Sequence, residues 1–137
     1  MTRAELIAFL QETRLAVQAS VHPDGAPQAA VVGVAVTDQL ELVFDTLMTS
    51  RKYDNLRRDP RCAITWWAAA TTVQIEGTAD LPTGAELDRL RASYLATFPD
   101  GHERITDPAI AYVRIRPSWI RVSDFATVPP KVFEVPA

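Results

Sequence analysis

The sequence predicts a mainly β protein: a Greek-key-like antiparallel barrel of six to seven strands with a few short helices. Three observations carry that expectation. Short apolar runs with strand-type alternation are separated by turn-forming Pro, Gly and Asp. Helical patterns occur only at the start, in the middle and late in the chain, which argues against a doubly wound parallel sheet with a helix between successive strands. The 137 residues are 47% hydrophobic, enough for one core, and closing a small sheet into a barrel removes its exposed edges. Residues 1–137 are read as a single domain, without repeats or low-complexity segments.

The elements follow in order. Thr2 and Glu5 form a capping box for a first helix with an apolar stripe of Leu6, Ile7, Phe9 and Leu10, ending near Glu12 to Arg14. Leu15 to Val21 is a strand, and His22-Pro23-Asp24-Gly25 a turn. Ala29 to Val36 is almost continuously apolar, the pattern of a strand buried on both faces. Gly33 within it suggests a bulge or a close approach by a ligand or another backbone. After a turn at Thr37 to Gln39, Leu40 to Thr46 is the next strand. Thr49 and Ser50 offer a cap for a helix from Arg51 to Asp59, stopped by Pro60.

Cys62 to Trp67 and Thr72 to Ala79 are further strands; in the second, Val73, Ile75, Gly77 and Ala79 share one face. Thr83 and Glu86 repeat the capping-box pattern before a helix with Leu87, Leu90, Tyr94, Leu95 and Phe98 on one side. Ile110 to Arg116 and Ser118 to Ser123 are the last strands, with Pro117 marking a bend or bulge, and the proline-bearing tail is extended.

Composition limits function. The net charge of -3 argues against a general affinity for nucleic acid. No run approaches the roughly 18–20 apolar residues of a membrane span, and MTRAELIAFLQETR lacks a signal-peptide core, so a soluble cytoplasmic protein is expected. One Cys and two His make a closed zinc site an unexpected feature, and no metal is expected. Cys62 reads as buried filler, and His22 and His102 as loop residues. Trp66 and Trp67 must point to opposite faces of their strand. Arg114 and Arg116 share a face with Tyr112 that reads as solvated, and Glu76 and Asp80 do not specify a catalytic pair.

The sharpest chemical signal is Thr49-Ser50-Arg51-Lys52 at a helix start. Helix N-termini are positive and disfavour bases by a few tenths to about 1 kcal/mol. An anion bound there removes the conflict: backbone N–H groups, hydroxyls and two cations then converge on one phosphate. A solvated basic helix is the alternative, since Arg57, Arg58 and Arg61 follow.

The stretch TSRKYDNLRRDPRCAITWW followed by TVQIEGTA resembles the flavin-binding core of the pyridoxamine 5'-phosphate oxidase-like family of FMN-binding split barrels. A weaker resemblance extends from LAVQASVHPDGAPQAAVVGV to VRIRPSWIRVSDF. The resemblance implies FMN as cofactor, with Ser50, Arg51 and Lys52 as its phosphate binders and Asp45 and Thr46 beside the flavin. It also implies that the backbone of Ala30, Val31, Val32, Gly33 and Val34 runs along the ring. Thr72, or Gln74 in another register, matches a position that reaches the cofactor from the other subunit of a homodimer. Trp119 and Arg121 match the strand that lies over flavin and substrate, and are the candidates for orienting a substrate; no catalytic acid or base is assigned.

The departures are specific. Apolar residues or Gln28 stand where the oxidase has bases around the Ala29 to Val34 strand, and Ser123 stands where it has a substrate-phosphate histidine. The resemblance therefore implies a flavoprotein that moves hydride between FMN and a small substrate without being that oxidase. Alternatives within the fold are a deazaflavin- or haem-handling protein and a non-catalytic flavin-binding or redox-sensing module.

Overall fold

The computed structural model describes all 137 residues. Its first helix, α1 (Arg3–Glu12), starts where its capping residues dictate. Thr2 Oγ1 accepts from the Glu5 amide at 3.1 Å, and Glu5 Oε2 accepts from the Thr2 amide at 2.6 Å. The chain then runs through β1 (Leu15–Val21), β2 (Pro27–Gly33), β3 (Ala35–Val36), β4 (Leu42–Leu47), α2 (Arg51–Arg58), β5 (Arg61–Ala68) and β6 (Thr71–Asp80). It finishes with α3 (Gly84–Thr97), a 3-10 turn (Pro99–Arg104), β7 (Ile110–Asp124) and β8 (Lys131–Glu134). No helix is long and apolar enough to cross a membrane.

All strand pairs are antiparallel, in the order β2-β1-β5-β6-β7-β4-β3, with β8 on β7. β2 and β3 end this order on opposite sides but are consecutive in the chain, separated by Val34 alone. The sheet must therefore curl until its ends meet, and Val34 N donates to Arg14 O at 2.9 Å at the join. The inner face carries the main core, with Phe44, Ile64, Trp66, Ile75, Ile115 and Ile120 packed around Leu6 and Leu10 of α1. Because side chains alternate along a strand, Val43 and Tyr112 face the other way. There they meet Leu90, Tyr94 and Leu95 of α3 in a second cluster.

Several expectations are corrected. The Ala29 to Val36 run is not one strand buried on both faces. It breaks at Val34, and β2 is an edge strand with Val31 64% exposed. Gly33 marks a close approach: a Cβ there would lie 2.8 Å from the Phe98 ring. Leu40 is not in a strand. It sits at φ +63° in a turn, its side chain buried, with its amide bonded to Thr37 O at 2.9 Å. Thr83 begins α3 without a side-chain cap, and the Glu86 carboxylate accepts from Arg89 and Arg114 rather than completing a capping box.

β7 runs unbroken through Pro117, and Ser118 is the extra residue of a bulge opposite Glu76 and Gly77. A Cβ on Gly77 would lie 2.6 Å from Arg116 O, so the bulge requires glycine there. The tail contributes an eighth strand, with Val132 opposite Ser123 and Glu134 opposite Arg121. Trp66 is buried and Trp67 is 57% exposed, on opposite faces as the alternation requires. Cys62 is buried, and loss of solvent pushes its thiol up to about 12.

Arg114 is not on a solvated face either; it is 5% exposed. It donates to Asp80 at 2.9 and 2.6 Å, to Glu41 at 3.1 Å and to Glu86 at 3.0 Å. Arg89 in turn holds Glu41 at 2.8 and 2.9 Å. Removing Arg114, its buried centre, would leave three acids without their shared partner and destabilise the fold. Hydrogen bonds from Arg89, with Arg114 and Thr37 adding to them, lower Glu41 from 4.5 to about 2. The stabilisation from Glu41 is thus complete above its ordinary pKa and is lost as pH falls from 4.5 toward 2. Urea unfolding midpoints should accordingly drop between about pH 5 and about pH 3, and Glu41→Gln should flatten that slope. Equal slopes in both proteins would contradict the assignment.

Candidate anion-binding site

The start of α2 is fixed from both sides. Ser50 caps the helix by accepting from the Tyr53 amide at 3.3 Å, and its Oγ lies 2.9 Å from Thr46 Oγ1 at the end of β4. One turn later, Asn55 is 2% exposed, and its Nδ2 donates to Ser20 Oγ at 3.1 Å and to Gln28 Oε1 at 2.9 Å. This amide ties the helix to the β1–β2 pair. Ser20 and Gln28 are themselves cross-strand partners, as are Gln18 and Ala30.

Between the helix start and that strand pair lies a cavity of about 200 Å³, lined by Gln18, Ser20, Gln28, Ala29, Ala30, Arg51 and Lys52. Its chemistry is one-sided. Every lining side chain that is polar can donate a hydrogen bond, and no carboxylate is among them. Neither Arg51 nor Lys52 enters any of the chain's ion pairs. Ser20 Oγ already accepts from Asn55, so its hydrogen is left to donate. Gln18 is 1% exposed, and its Nε2 has no partner. Buried donors without acceptors destabilise a protein, and an oxyanion in the cavity supplies the acceptors. The residues present fit a phosphate group.

Larger clefts lack this character. One of about 510 Å³ mixes Arg3, Arg89 and Arg116 with Glu41 and Glu86, and both of its acids are already paired with Arg89. Another, of about 440 Å³, has Arg61, held by Asp59 at 2.7 Å, facing Glu76.

The residues singled out from sequence divide into groups. Arg51, Lys52 and Ala30 line the cavity. Ser50 and Thr46 bond one another at the helix cap beside it. Val32 and Val34 point into the core, Val31 is exposed on the opposite face, and Gly33 lies under Phe98. Asp45 faces away from the cavity and accepts from Arg104 Nε, in the 3-10 turn after α3, at 3.1 Å. Burial, with that carboxylate adding to it, pushes the Tyr94 phenol upward.

Thr72, Gln74, Trp119 and Arg121 sit on the outer face of the sheet, with Gln74 directly opposite Arg121. There Glu134 of β8 accepts from Trp119 Nε1 at 2.9 Å and from Arg121 Nη2 at 3.5 Å, and the guanidinium lies 4.9 Å from the Trp119 ring. Sequence reasoning missed Gln18, Ser20 and Asn55. The signal was present in β1, where polar residues at 18 and 20 share the inward face with Ala16.

The sequence profile of a family described as pyridoxamine 5'-phosphate oxidase matches residues 2–124. A pyridoxine/pyridoxamine 5'-phosphate oxidase from Rubrobacter xylanophilus is 34% identical over 100 residues, which is 72% of this chain and 44% of that protein. The chain thus spans less than half the length of this curated relative. Among solved structures, a haem-binding protein from Mycobacterium smegmatis superposes with a TM-score of 0.84 at 19% identity, covering 98% of this chain and 60% of the other. An FMN-binding protein from Nostoc punctiforme, related to pyridoxamine 5'-phosphate oxidase, superposes with a TM-score of 0.72 at 16% identity, covering 95% and 88%. Both likenesses establish the shared split-barrel fold.

The geometry separates structural from ligand-directed groups. Asn55→Ala should lower ligand-free stability by about 1–3 kcal/mol, since Ser20 and Gln28 lose their shared donor. Arg51→Ala with Lys52→Ala should leave it unchanged or raise it, because the helix dipole opposes cations there. Denaturant melts of the two variants decide this; a large loss in the double variant would make the cations structural.

Proposed function

The chain belongs to the pyridoxamine 5'-phosphate oxidase family, and from that premise we propose that it binds FMN and acts as an oxidoreductase on a small substrate. The observation that carries the reading is the cavity at the start of α2, whose polar side chains can all donate and whose two cations no lining carboxylate neutralises. In this reading Arg51 and Lys52 grip the phosphate monoester with charge-assisted bonds, Ser20 and Gln28 add neutral donors, and the helix N-terminus adds its dipole. Ala30 offers only a methyl group, which leaves room for the ligand beside β2. When bound, FMN supplies hydride transfer, and the protein supplies position, electrostatics and exclusion of water.

The other half of the site is contributed by a second copy of the chain. The outer face that carries Thr72, Gln74, Trp119 and Arg121 also exposes a group of large apolar residues. Leu15 is 60% exposed, Val31 64%, Trp67 57% and Val132 54%. A two-fold axis places each outer face against the partner's β2 edge and creates two equivalent sites. Gln74 then approaches the flavin, and Arg121, with Trp119 beside it, orients the substrate. Glu134 holds both residues in place and lowers the net positive charge there. A small substrate of low negative charge suits such a face better than a phosphate ester does. The same face gives no histidine at position 123, in line with an activity distinct from that of the oxidase. A flavin suits the α2 cavity better than haem, since no histidine, cysteine or methionine lines it.

Titration with FMN and with riboflavin tests the reading. Arg51→Ala with Lys52→Ala should weaken FMN by two or more decades, on the order of 3 kcal/mol, and riboflavin much less. Equal weakening of both, or none, would place the phosphate elsewhere. Sedimentation should show a dimer at micromolar concentration, and Val31→Asp should yield monomers with weakened FMN binding. A wild-type monomer that retains FMN would contradict the shared site.

A further inference from the structure

We infer that Gln18 is a ligand-binding residue, a neutral donor at the back of the α2 cavity that contacts the phosphate group directly. The inference rests on the reading of that cavity as the phosphate end of the FMN site. It goes further by assigning a role to a side chain that neither the sequence pattern nor the family resemblance singles out.

Gln18 lies in the middle of β1, between β2 and β5, opposite Ala30 on one side and Ile64 on the other. Its side chain is directed to the inner face, where its neighbours along the strand are Ala16 and Ser20. At 1% exposure it is one of the largest fully buried side chains in the protein, and the only Gln among them. The amide nitrogen of Gln18 contributes no hydrogen bond to the fold. Its Nε2 makes no hydrogen bond, whereas the amide of Asn55 and the carbonyl of Gln28, in the same neighbourhood, are paired with each other. Gln18 lines the cavity beside Arg51 and Lys52, across from the small side chain of Ala30.

A buried, unpartnered carboxamide weakens the ligand-free fold, and an apolar residue of similar size would not. The cost is removed when an oxyanion accepts from Nε2. The two cations enter from the solvent side of the helix start, while Gln18 enters from the sheet. The phosphate is thus held between opposed donors rather than on an open helix end. A neutral donor at the buried position also avoids placing an unpaired charge inside the barrel.

The test uses Gln18→Leu and, as a second variant that keeps glutamine's unbranched shape, Gln18→Met, both in the 137-residue chain. Both side chains are slightly bulkier than glutamine, so riboflavin serves as the control for obstruction of the cavity. Melting temperatures without ligand, and titrations with FMN, riboflavin and inorganic phosphate, are measured against the wild type. The expected result is a ligand-free melting temperature equal to or above that of the wild type, FMN affinity reduced roughly ten- to a hundredfold, riboflavin affinity unchanged, and stabilisation by phosphate lost. Unchanged FMN affinity in both variants, with wild-type binding intact, overturns the role of Gln18 and leaves the FMN reading standing. A wild type that binds no FMN but is stabilised by phosphate, with that effect lost in the variants, overturns the FMN reading and keeps Gln18 as an anion ligand. A lower ligand-free melting temperature in both variants, with FMN and riboflavin weakened alike, makes Gln18 a structural residue and overturns the inference.

Discussion

The bond network of Asn55 decides where the chemistry of this protein can stand. One buried carboxamide reaches from α2 to Ser20 on β1 and Gln28 on β2, and so sets the helix start against the edge of the sheet. The Ser50 cap and its contact with Thr46 fix the other side of the same turn. With both anchors in place, the backbone of Arg51 and Lys52 is held beside the β1–β2 pair, and neither side chain enters an ion pair. They line a cavity that holds no carboxylate and whose polar side chains can all donate. The arrangement maintains a local excess of positive potential in a protein whose net charge is -3.

Arginines elsewhere in the molecule show what a structural role looks like. Arg114 is equally basic but lies inside a group of three acids and a second arginine, with every contact between 2.6 and 3.1 Å. Arg61 is closed onto Asp59, and Arg104 onto Asp45. In each case the charge is consumed within the fold. The curled sheet sorts the two classes by face and end. α3 covers the side that holds the Arg114 cluster, α2 stands over the β1–β2 pair, and the remaining outer face keeps its apolar residues exposed.

Much of this was legible in the sequence, for reasons that are local. Capping at Thr2, the turn after β1, alternation in β6 and the basic helix start are all encoded within a few neighbouring residues. What escaped depends on contacts between distant segments. The apolar run from Ala29 to Val36 looks like an interior strand, but it joins the two edges of the curled sheet, and apolar composition alone cannot distinguish a core from an uncovered face. Arg114 looks solvated until Asp80 of β6, Glu86 of α3 and Glu41 of the turn before β4 are brought against it. Gln18 and Ser20 look like polar interruptions of a strand until Asn55 and Arg51 are placed over them. The tail strand β8 shows little alternation, and it is organised by pairing with β7.

The most direct measurement is a crystal structure of the protein grown with FMN. The phosphorus should lie in the cavity at the start of α2, with its oxygens within hydrogen-bonding distance of Arg51, Lys52 and Gln18 Nε2. The Asn55 bonds to Ser20 and Gln28 should be unchanged. A flavin bound with its phosphate on another surface, and with Arg51 and Lys52 extended into solvent, would contradict the account.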